Sequence, residues 1–462
     1  MQHVNSVYDD AQSQAGRQIP VFSPVRHASL PHLWGTFRQH GINGALRYIL
    51  AEAVDHARSV DPGGHVVGLG IPLTQVLRLF FPTGRFDNPK HVYVAYTHHA
   101  VTEIMREAYA YEKGHMVKSM SHLMGAGDQA ADIITADMHQ WHKMQPVIKS
   151  FIWGENIHKQ ARYIEARLAE SFDTADDLSI TTTDIKQMMF LLIGRLMVPA
   201  YEPDTAQLRA DVHEFEDLIA GTSKILFDTI FASDQFVDHV MRSDVSAQIK
   251  ARYQTFYNKF AAVRYDDDGG MLTALMGHPE YDEEKRQATV IGMFEAGSKT
   301  LAQVTTEAFY ACAHDRALWE HLKANPDRKT LTAAFLEAAR RTPPVDLTFR
   351  EAQHDLQLAG YTIPAGSIMI LSVKDMLIDP DYWEAPQAFR LNREDPERRR
   401  YLPWLDPLLF ERGCTGMPYA ISVGIATLQF FLERFDAVTL EEDYGMKYDA
   451  TTQHNVRLRF TH

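Results

Sequence analysis

Phe335-Leu-Glu337-Ala-Ala-Arg340-Arg-Thr-Pro-Pro-Val345 is the stretch on which the reading of the fold turns. Glu337 and Arg340 stand three apart within an amphipathic run, Thr330–Arg341, so on a helix their side chains are neighbours that can pair. Pro343-Pro344 ends that helix, because proline removes a donor and disfavours helix in the residue before it. On spacing alone this is a surface ion pair of small energetic weight. Its surroundings change that weight.

Downstream comes Gly360-Tyr-Thr-Ile-Pro-Ala-Gly366, a turn, a short strand and a second turn. Asp379-Pro380 and then Pro386-Gln-Ala-Phe389-Arg-Leu-Asn-Arg393 follow. Next is Phe410-Glu-Arg-Gly-Cys-Thr-Gly416, ahead of an apolar helical run from Tyr419 to Phe435. Cys414 lies between glycines, near Arg412, at a helix N-terminus whose N–H groups and dipole favour an anion. Such a site favours the thiolate, which is both a nucleophile and a metal ligand. Upstream, Phe294-Glu-Ala296-Gly297-Ser-Lys299-Thr300 lies within the longest helical run, Asp282–His314. Ala136-Asp137-Met-His-Gln-Trp141-His-Lys-Met-Gln145 reads as a helix start.

The rest of the chain bounds the class. It has 462 residues, of which 45% are hydrophobic and 23% charged, with a net charge of −14. That acidic balance excludes general binding to nucleic acid or anionic lipid. No stretch approaches the roughly 20 apolar residues of a membrane span, and Met1–Arg17 lacks the order of a secretory signal. Cys312 and Cys414 are the only cysteines and form no disulfide framework, so a cytoplasmic setting is expected. The 22 histidines frame no zinc motif. Helical stretches dominate, with strand-like pieces at Val92–Tyr96, Leu356–Leu358, Tyr361–Ile363, Ser367–Ser372, Asp436–Leu440 and Val456–Phe460. The expectation is one mainly α domain with small β-sheets (α+β), residues 1–462. A β-containing N-terminal lobe would cover about 1–132 and a helical body about 133–462.

The order E-x-x-R, R-T-P-P-V, G-Y-x-I-P-A-G, D-P, P-x-x-F-R-x-x-R and C-x-G before a helix resembles the cytochrome P-450 family of haem-thiolate monooxygenases. The 294–300 and 136–145 stretches resemble that family's central helix and its D-G-x-x-W helix start. The resemblance covers about Ile133 to Phe435 and points to the soluble, bacterial type without a membrane anchor. It implies haem b (iron protoporphyrin IX) as cofactor and Cys414 as the axial ligand of its iron. Arg350 would contact a propionate, with Arg412 as the basic residue beside the cysteine. Trp141 would sit at the haem edge, with His142 or Lys143 as a propionate donor. Ala296 and Gly297 would leave room over the iron, and Glu295, Lys299 and Thr300 would form the distal set. Glu337, Arg340 and Arg393 would form a buried triad. Substrate would meet 124–134, Met293, Phe294, Asp346 (a polar anchor), Leu347, Phe349 and 450–454, which suits a mostly apolar small molecule. Electrons would come from a ferredoxin and its reductase or a flavodoxin-type donor.

Three departures stand out. Lys299 occupies the place of the family's acid, which relays protons together with the neighbouring alcohol. The family's F-x-x-G-x-x-x-C would put an aromatic and a glycine where Pro407 and Phe410 stand, with Pro403-Trp404 the nearest match to its P-F. Gln145 stands where an arginine is usual. The departures leave open an O2-independent or peroxide-using enzyme (dehydratase, isomerase or peroxygenase) and a non-catalytic ligand-binding member of the fold. A cysteine hydrolase would need a histidine framed by a motif, and neither His454 nor His462 has one.

Overall fold

The computed structural model describes residues 18–22, 28–69, 91–107, 110–112, 122–124, 133–172, 176–229, 234–264, 269–393, 411–448 and 451–462. Pro403, Trp404, Pro407, Phe410, Ala450 and most of 124–134 lie outside these residues.

The helices run α1 (Leu30–Val60), α2 (His98–Arg106), α3 (Met138–Ile152), α4 (Glu155–Phe172), α5 (Thr182–Met197), α6 (Thr205–Thr229) and α7 (Asp234–Met241). They continue with α8 (Asp244–Val263), α9 (Met271–Met276), α10 (Glu283–Phe294), α11 (Thr300–His314), α12 (Arg316–Ala324), α13 (Arg328–Arg341), α14 (Val373–Leu377) and α15 (Met417–Arg434). A π-helical turn, Glu295–Lys299, joins α10 to α11. The strands are β1 (Val21–Phe22), β2 (Val66–Leu69), β3 (Val92–Ala95), β4 (Tyr111–Glu112), β5 (Leu178–Thr181) and β6 (Leu347–Ala352). After them come β7 (Leu356–Leu358), β8 (Tyr361–Ile363), β9 (Ile368–Ser372), β10 (Ala437–Tyr448) and β11 (Thr452–Thr461). The fold is mainly α with small sheets, as the periodicities predict.

Among the described residues the strands form a six-stranded sheet ordered β1-β2-β3-β9-β6-β4, a three-stranded sheet ordered β10-β11-β5, and the β7-β8 hairpin. The two-residue strand period divides the larger sheet cleanly. Val66, Ala95, Met369 and Leu371 pack on one face with α2 and α14, while Val67, Val94 and Ile370 pack on the other with α1. The largest core cluster lies in the helical body, around α5, α10, α11, α13 and α15.

Local chemistry sets the helix ends that matter for the site. Asp137 caps α3 by accepting from the Gln140 N–H at 2.8 Å. Thr181 and Asp184 form a reciprocal capping box at the start of α5. Helix α13 stops at Arg341, just ahead of Pro343-Pro344. Gly424 lets α15 lie directly on α13, because a Cβ there would come within 2.2 Å of the Phe335 ring. The helix behind Cys414 and the helix bearing Glu337 and Arg340 are thereby locked together.

A cysteine loop, an arginine pair and a π-turn as candidate haem site

Cys414 is half-buried in the loop that leads into α15. The Met417 N–H donates to the Cys414 carbonyl at 3.3 Å, and the Ala420 N–H donates to Gly416 at 2.9 Å, so the first turn of α15 begins at the cysteine. The other cysteine is different in kind. Cys312 is buried in α11, and burial pushes its thiol up to about 12.

Helix α3 clamps the cysteine loop. The Trp153 indole N–H donates to the Thr415 carbonyl at 2.7 Å, and Gln145 Nε2 donates to Thr415 Oγ1 at 3.4 Å. Gln145, which replaces the expected arginine, therefore holds the loop itself. The same helix carries buried Trp141, and the Arg412 guanidinium lies over its ring at 5.5 Å. Arg412 also donates to the Ile134 carbonyl at 3.0 Å. His142 meets Glu411 at 2.7 Å and Lys143 approaches Glu280 at 3.9 Å, so both face acids of the chain.

Arg350 extends from β6 and is only 6% exposed. It donates to the Phe349 carbonyl at 2.7 Å, to Thr348 Oγ1 at 3.2 Å and to Met105 Sδ at 3.2 Å. No carboxylate partners it among the described residues. Burial, with the like charge of Arg412, pulls Arg350 down to about 9. A buried guanidinium beside a second one has its charge left over for an anion. This donor set, next to a half-buried cysteine at a helix start, fits a haem with two propionates.

Glu337, Arg340 and Arg393 come together in one buried cluster. Arg340 donates to both Glu337 oxygens at 2.8 and 2.9 Å, and Arg393 reaches the same carboxylate at 2.7 Å. Both guanidiniums continue to backbone carbonyls, Leu377 for Arg340 and Glu384 for Arg393, and both lie over the Trp383 ring. Burial alone would raise Glu337, but the two arginines outweigh it and hold the carboxyl below its usual value.

The residues of the central helix separate by direction. Ala296 is exposed and Thr300 half-buried within a helix whose other faces are mostly buried. The Thr300 hydroxyl donates to the Ala296 carbonyl. Gly297 meets α5 instead, where an added Cβ would lie 2.6 Å from Ile193. Glu295 lies near Tyr253 of α8, and buried Lys299 lies near Lys186 of α5, which bonds Glu216 at 2.6 Å. Ala296 is thus the most exposed residue of this turn, and Thr300 is tied to it by its hydroxyl. Phe294 is no wall of an opening, because it is fully buried with its ring 4.6 and 4.7 Å from those of Phe190 and Phe260. Met293 is partly buried against the same core. Phe349 packs partly buried on the α1 side of the large sheet. Asp346 is already engaged, accepting from Arg47 Nε at 2.5 Å and Nη2 at 2.8 Å. That contact joins residues 299 apart and has no sequence signal.

Comparison with known proteins identifies the fold and the family. The chain is 27% identical over 254 residues to plant-inducible cytochrome P450-pinF1 of Rhizobium radiobacter, covering 53% of this chain and 55% of that protein. It is 28% identical over 192 residues to geranylhydroquinone 3''-hydroxylase CYP76B74 of Arnebia euchroma, covering 37% of this chain and 38% of that protein. The matches thus span about half or less of these relatives' lengths. Among solved structures, the cytochrome P450DA haem domain mutant superposes with a TM-score of 0.70 at 16% identity, covering 96% of this chain and 98% of that one. CxnD, a P450 for C–S bond formation in chuangxinmycin biosynthesis, superposes at 0.66 and 18% identity, covering 87% and 93%. The family model described as cytochrome P450 matches residues 83–448, most of the chain. The chain belongs to the cytochrome P450 family, and haem is the cofactor that this membership implies.

Proposed function

We propose that the chain is a haem-thiolate monooxygenase in which Cys414 would bind the haem iron. The single observation that carries this reading is the buried Arg350, which no carboxylate partners among the described residues, beside Arg412 of the cysteine loop. When bound, haem with a thiolate ligand supplies activation of O2, since the thiolate pushes electron density toward O–O cleavage.

The remaining work belongs to the chain. Arg350 and Arg412 would hold the propionates, and the Trp141 ring lies against the Arg412 guanidinium at 5.5 Å. Helix α15 starts directly after Cys414, so the positive end of its dipole would favour the thiolate. Glu337, Arg340 and Arg393 fix the segment that precedes the loop. Ala296 keeps the open face of the central helix small, and Thr300 donates its hydroxyl proton to the Ala296 carbonyl, which leaves the hydroxyl oxygen to accept a hydrogen bond from a molecule in the opening. The substrate is a small, mostly apolar molecule, met by Met293 and the end of the β10–β11 hairpin. The name of one relative, a geranylhydroquinone hydroxylase, supports hydroxylation of such a molecule. Electrons come from a separate ferredoxin with its reductase or a flavodoxin-type protein, in the cytoplasm.

A second reading, turnover with peroxide or without O2, is favoured by one observation. Lys299, a cation, stands in the place of the acid that would accompany Thr300, and it lies near a second lysine, Lys186. Turnover of apolar small molecules under 18O2, with ferredoxin and its reductase as donor, separates the readings. One labelled oxygen atom in the product supports the monooxygenase. Product formed without the label, or only with added peroxide, rejects it.

A further inference from the structure

His454, near the end of the β10–β11 hairpin, faces a carboxylate with each ring nitrogen. Its Nδ1 lies 3.1 Å from Glu307 Oε1 of α11, and its Nε2 lies 3.0 Å from Asp443 Oδ1 of β10. A neutral imidazole carries one N–H, so only the imidazolium donates to both. Glu307 is buried and its other partners are neutral, the Gln303 amide at 2.9 Å and the Thr342 hydroxyl at 3.1 Å. His454 is therefore the one cation bonded to Glu307 among the described residues. Asp443 also accepts from the Tyr310 hydroxyl at 3.1 Å, and the Tyr310 ring lies 4.1 Å from the imidazole.

This bridge joins the hairpin to the central helix next to Thr300. Thr300, Gln303 and Glu307 follow one another at spacings of three and four, so they share one helix face. The His454 backbone N–H donates to Gln303 Oε1 at 2.8 Å. The hairpin is thereby docked about 5 Å along the helix axis from Thr300. Two further hydrogen bonds are indifferent to pH and keep the hairpin attached. The Thr452 N–H donates to the Pro344 carbonyl at 2.9 Å, and the Thr182 hydroxyl donates to the His454 carbonyl at 3.0 Å. Room for a limited shift exists, because His454 lines a cavity of about 350 Å3. Arg47, Arg341, Asp346, Lys374, Asp375 and Tyr448 line the same cavity, and none of them bonds the imidazole among the described residues.

We propose that His454 is a positioning residue for the substrate opening: its imidazolium latches the hairpin end onto the central helix beside Thr300, and loss of the proton lets that end shift and admits bulkier molecules. The proposal rests on the reading that haem binds at Cys414 and that substrate meets this hairpin. Burial opposes the charge on His454, but the two carboxylates prevail and raise its value. The latch is thus closed below about pH 6.5 and opens as pH rises through the raised value. Once the proton is gone, one carboxylate loses its donor and buried Glu307 loses its counter-charge, which loosens the contact.

The experiment is titration of the haem-loaded full chain with pyridine and with the longer 4-phenylpyridine. Binding is followed by the Soret shift from about pH 6 to about pH 9, and each affinity is corrected for protonation of the free ligand. The preference for 4-phenylpyridine over pyridine should rise at least threefold with pH in wild type. In His454→Gln, whose amide carries no charge, it should stay at the high-pH level throughout. A preference that does not change with pH in wild type overturns the proposal, and so does a His454→Gln protein that keeps the wild-type pH dependence. Absence of any Soret shift with pyridine itself removes the haem reading and the proposal with it. A pyridine shift with a flat preference removes the latch alone.

Discussion

Arg350→Met separates a cofactor-holding role from a structural one. In the cofactor-free chain the buried guanidinium is a liability. The fall from 12.5 to about 9 corresponds to roughly 5 kcal/mol of charge burial and repulsion from Arg412 at about 1.36 kcal/mol per pH unit. Its three hydrogen bonds return about 1 kcal/mol each. Methionine of similar length removes both contributions and leaves apolar packing in place. The cofactor-free variant should therefore unfold in urea at the same or higher concentration, with a net gain of about 0–3 kcal/mol, as for other buried charges replaced by well-packed apolar groups. With haem bound the sign reverses. Charge-assisted hydrogen bonds of about 1.5–3 kcal/mol are lost, so haem should leave roughly 10- to 150-fold faster. Haem transfer to excess apomyoglobin, followed by absorbance, gives the rate. A variant that loses apo stability by several kcal/mol while retaining haem as well as wild type would refute the reasoning.

Other outcomes follow from particular contacts. Glu337→Gln should cost about 3–5 kcal/mol in urea unfolding, because it leaves Arg340 and Arg393 buried with no carboxylate. Glu337 is depressed when folded, so its contribution is present above the ordinary carboxyl range near 4.3 and is lost as pH falls through the lower folded value. The wild-type advantage over the variant should shrink only below about pH 4.3. Gly424→Ala should lower stability by about 1–3 kcal/mol through the clash with Phe335, and Phe335→Leu should recover part of that loss. Burial lowers His454, but Glu307 and Asp443 outweigh it and raise the imidazole above its usual value. Its hold on the β10–β11 hairpin is therefore complete below about pH 6.5 and weakens as pH rises through the raised value. Amide exchange in 452–456, corrected for intrinsic rates, should speed up over that range in wild type and be independent of it in His454→Gln.

What could be read from residue order was whatever depends on short spacing or on a motif. Glu337 with Arg340, the stop at Pro343-Pro344, the cap at Asp137 and the helix behind Cys414 are of this kind. Strand β6 was harder to see, because Leu347–Ala352 shows no strict alternation and is defined by its pairing with β9. The π-turn at Glu295–Lys299 was also invisible, and it matters because its residues point toward different neighbours. Gly297 illustrates the point: its missing Cβ suggested space over iron, whereas the close neighbour is Ile193 of α5. Phe294 likewise belongs to the core and not to a cavity wall. Contacts such as Arg47 with Asp346 and His454 with Glu307 join distant segments and arise only from tertiary packing.

The most direct test of the central claim is the absorption of the reduced, CO-bound protein. Wild type should show the red-shifted Soret band of a thiolate-ligated haem, and Cys414→Ser should bind haem without that band. A wild-type protein that binds haem but lacks the band, or a Cys414→Ser protein that retains it, would contradict the assignment of Cys414 as the axial ligand.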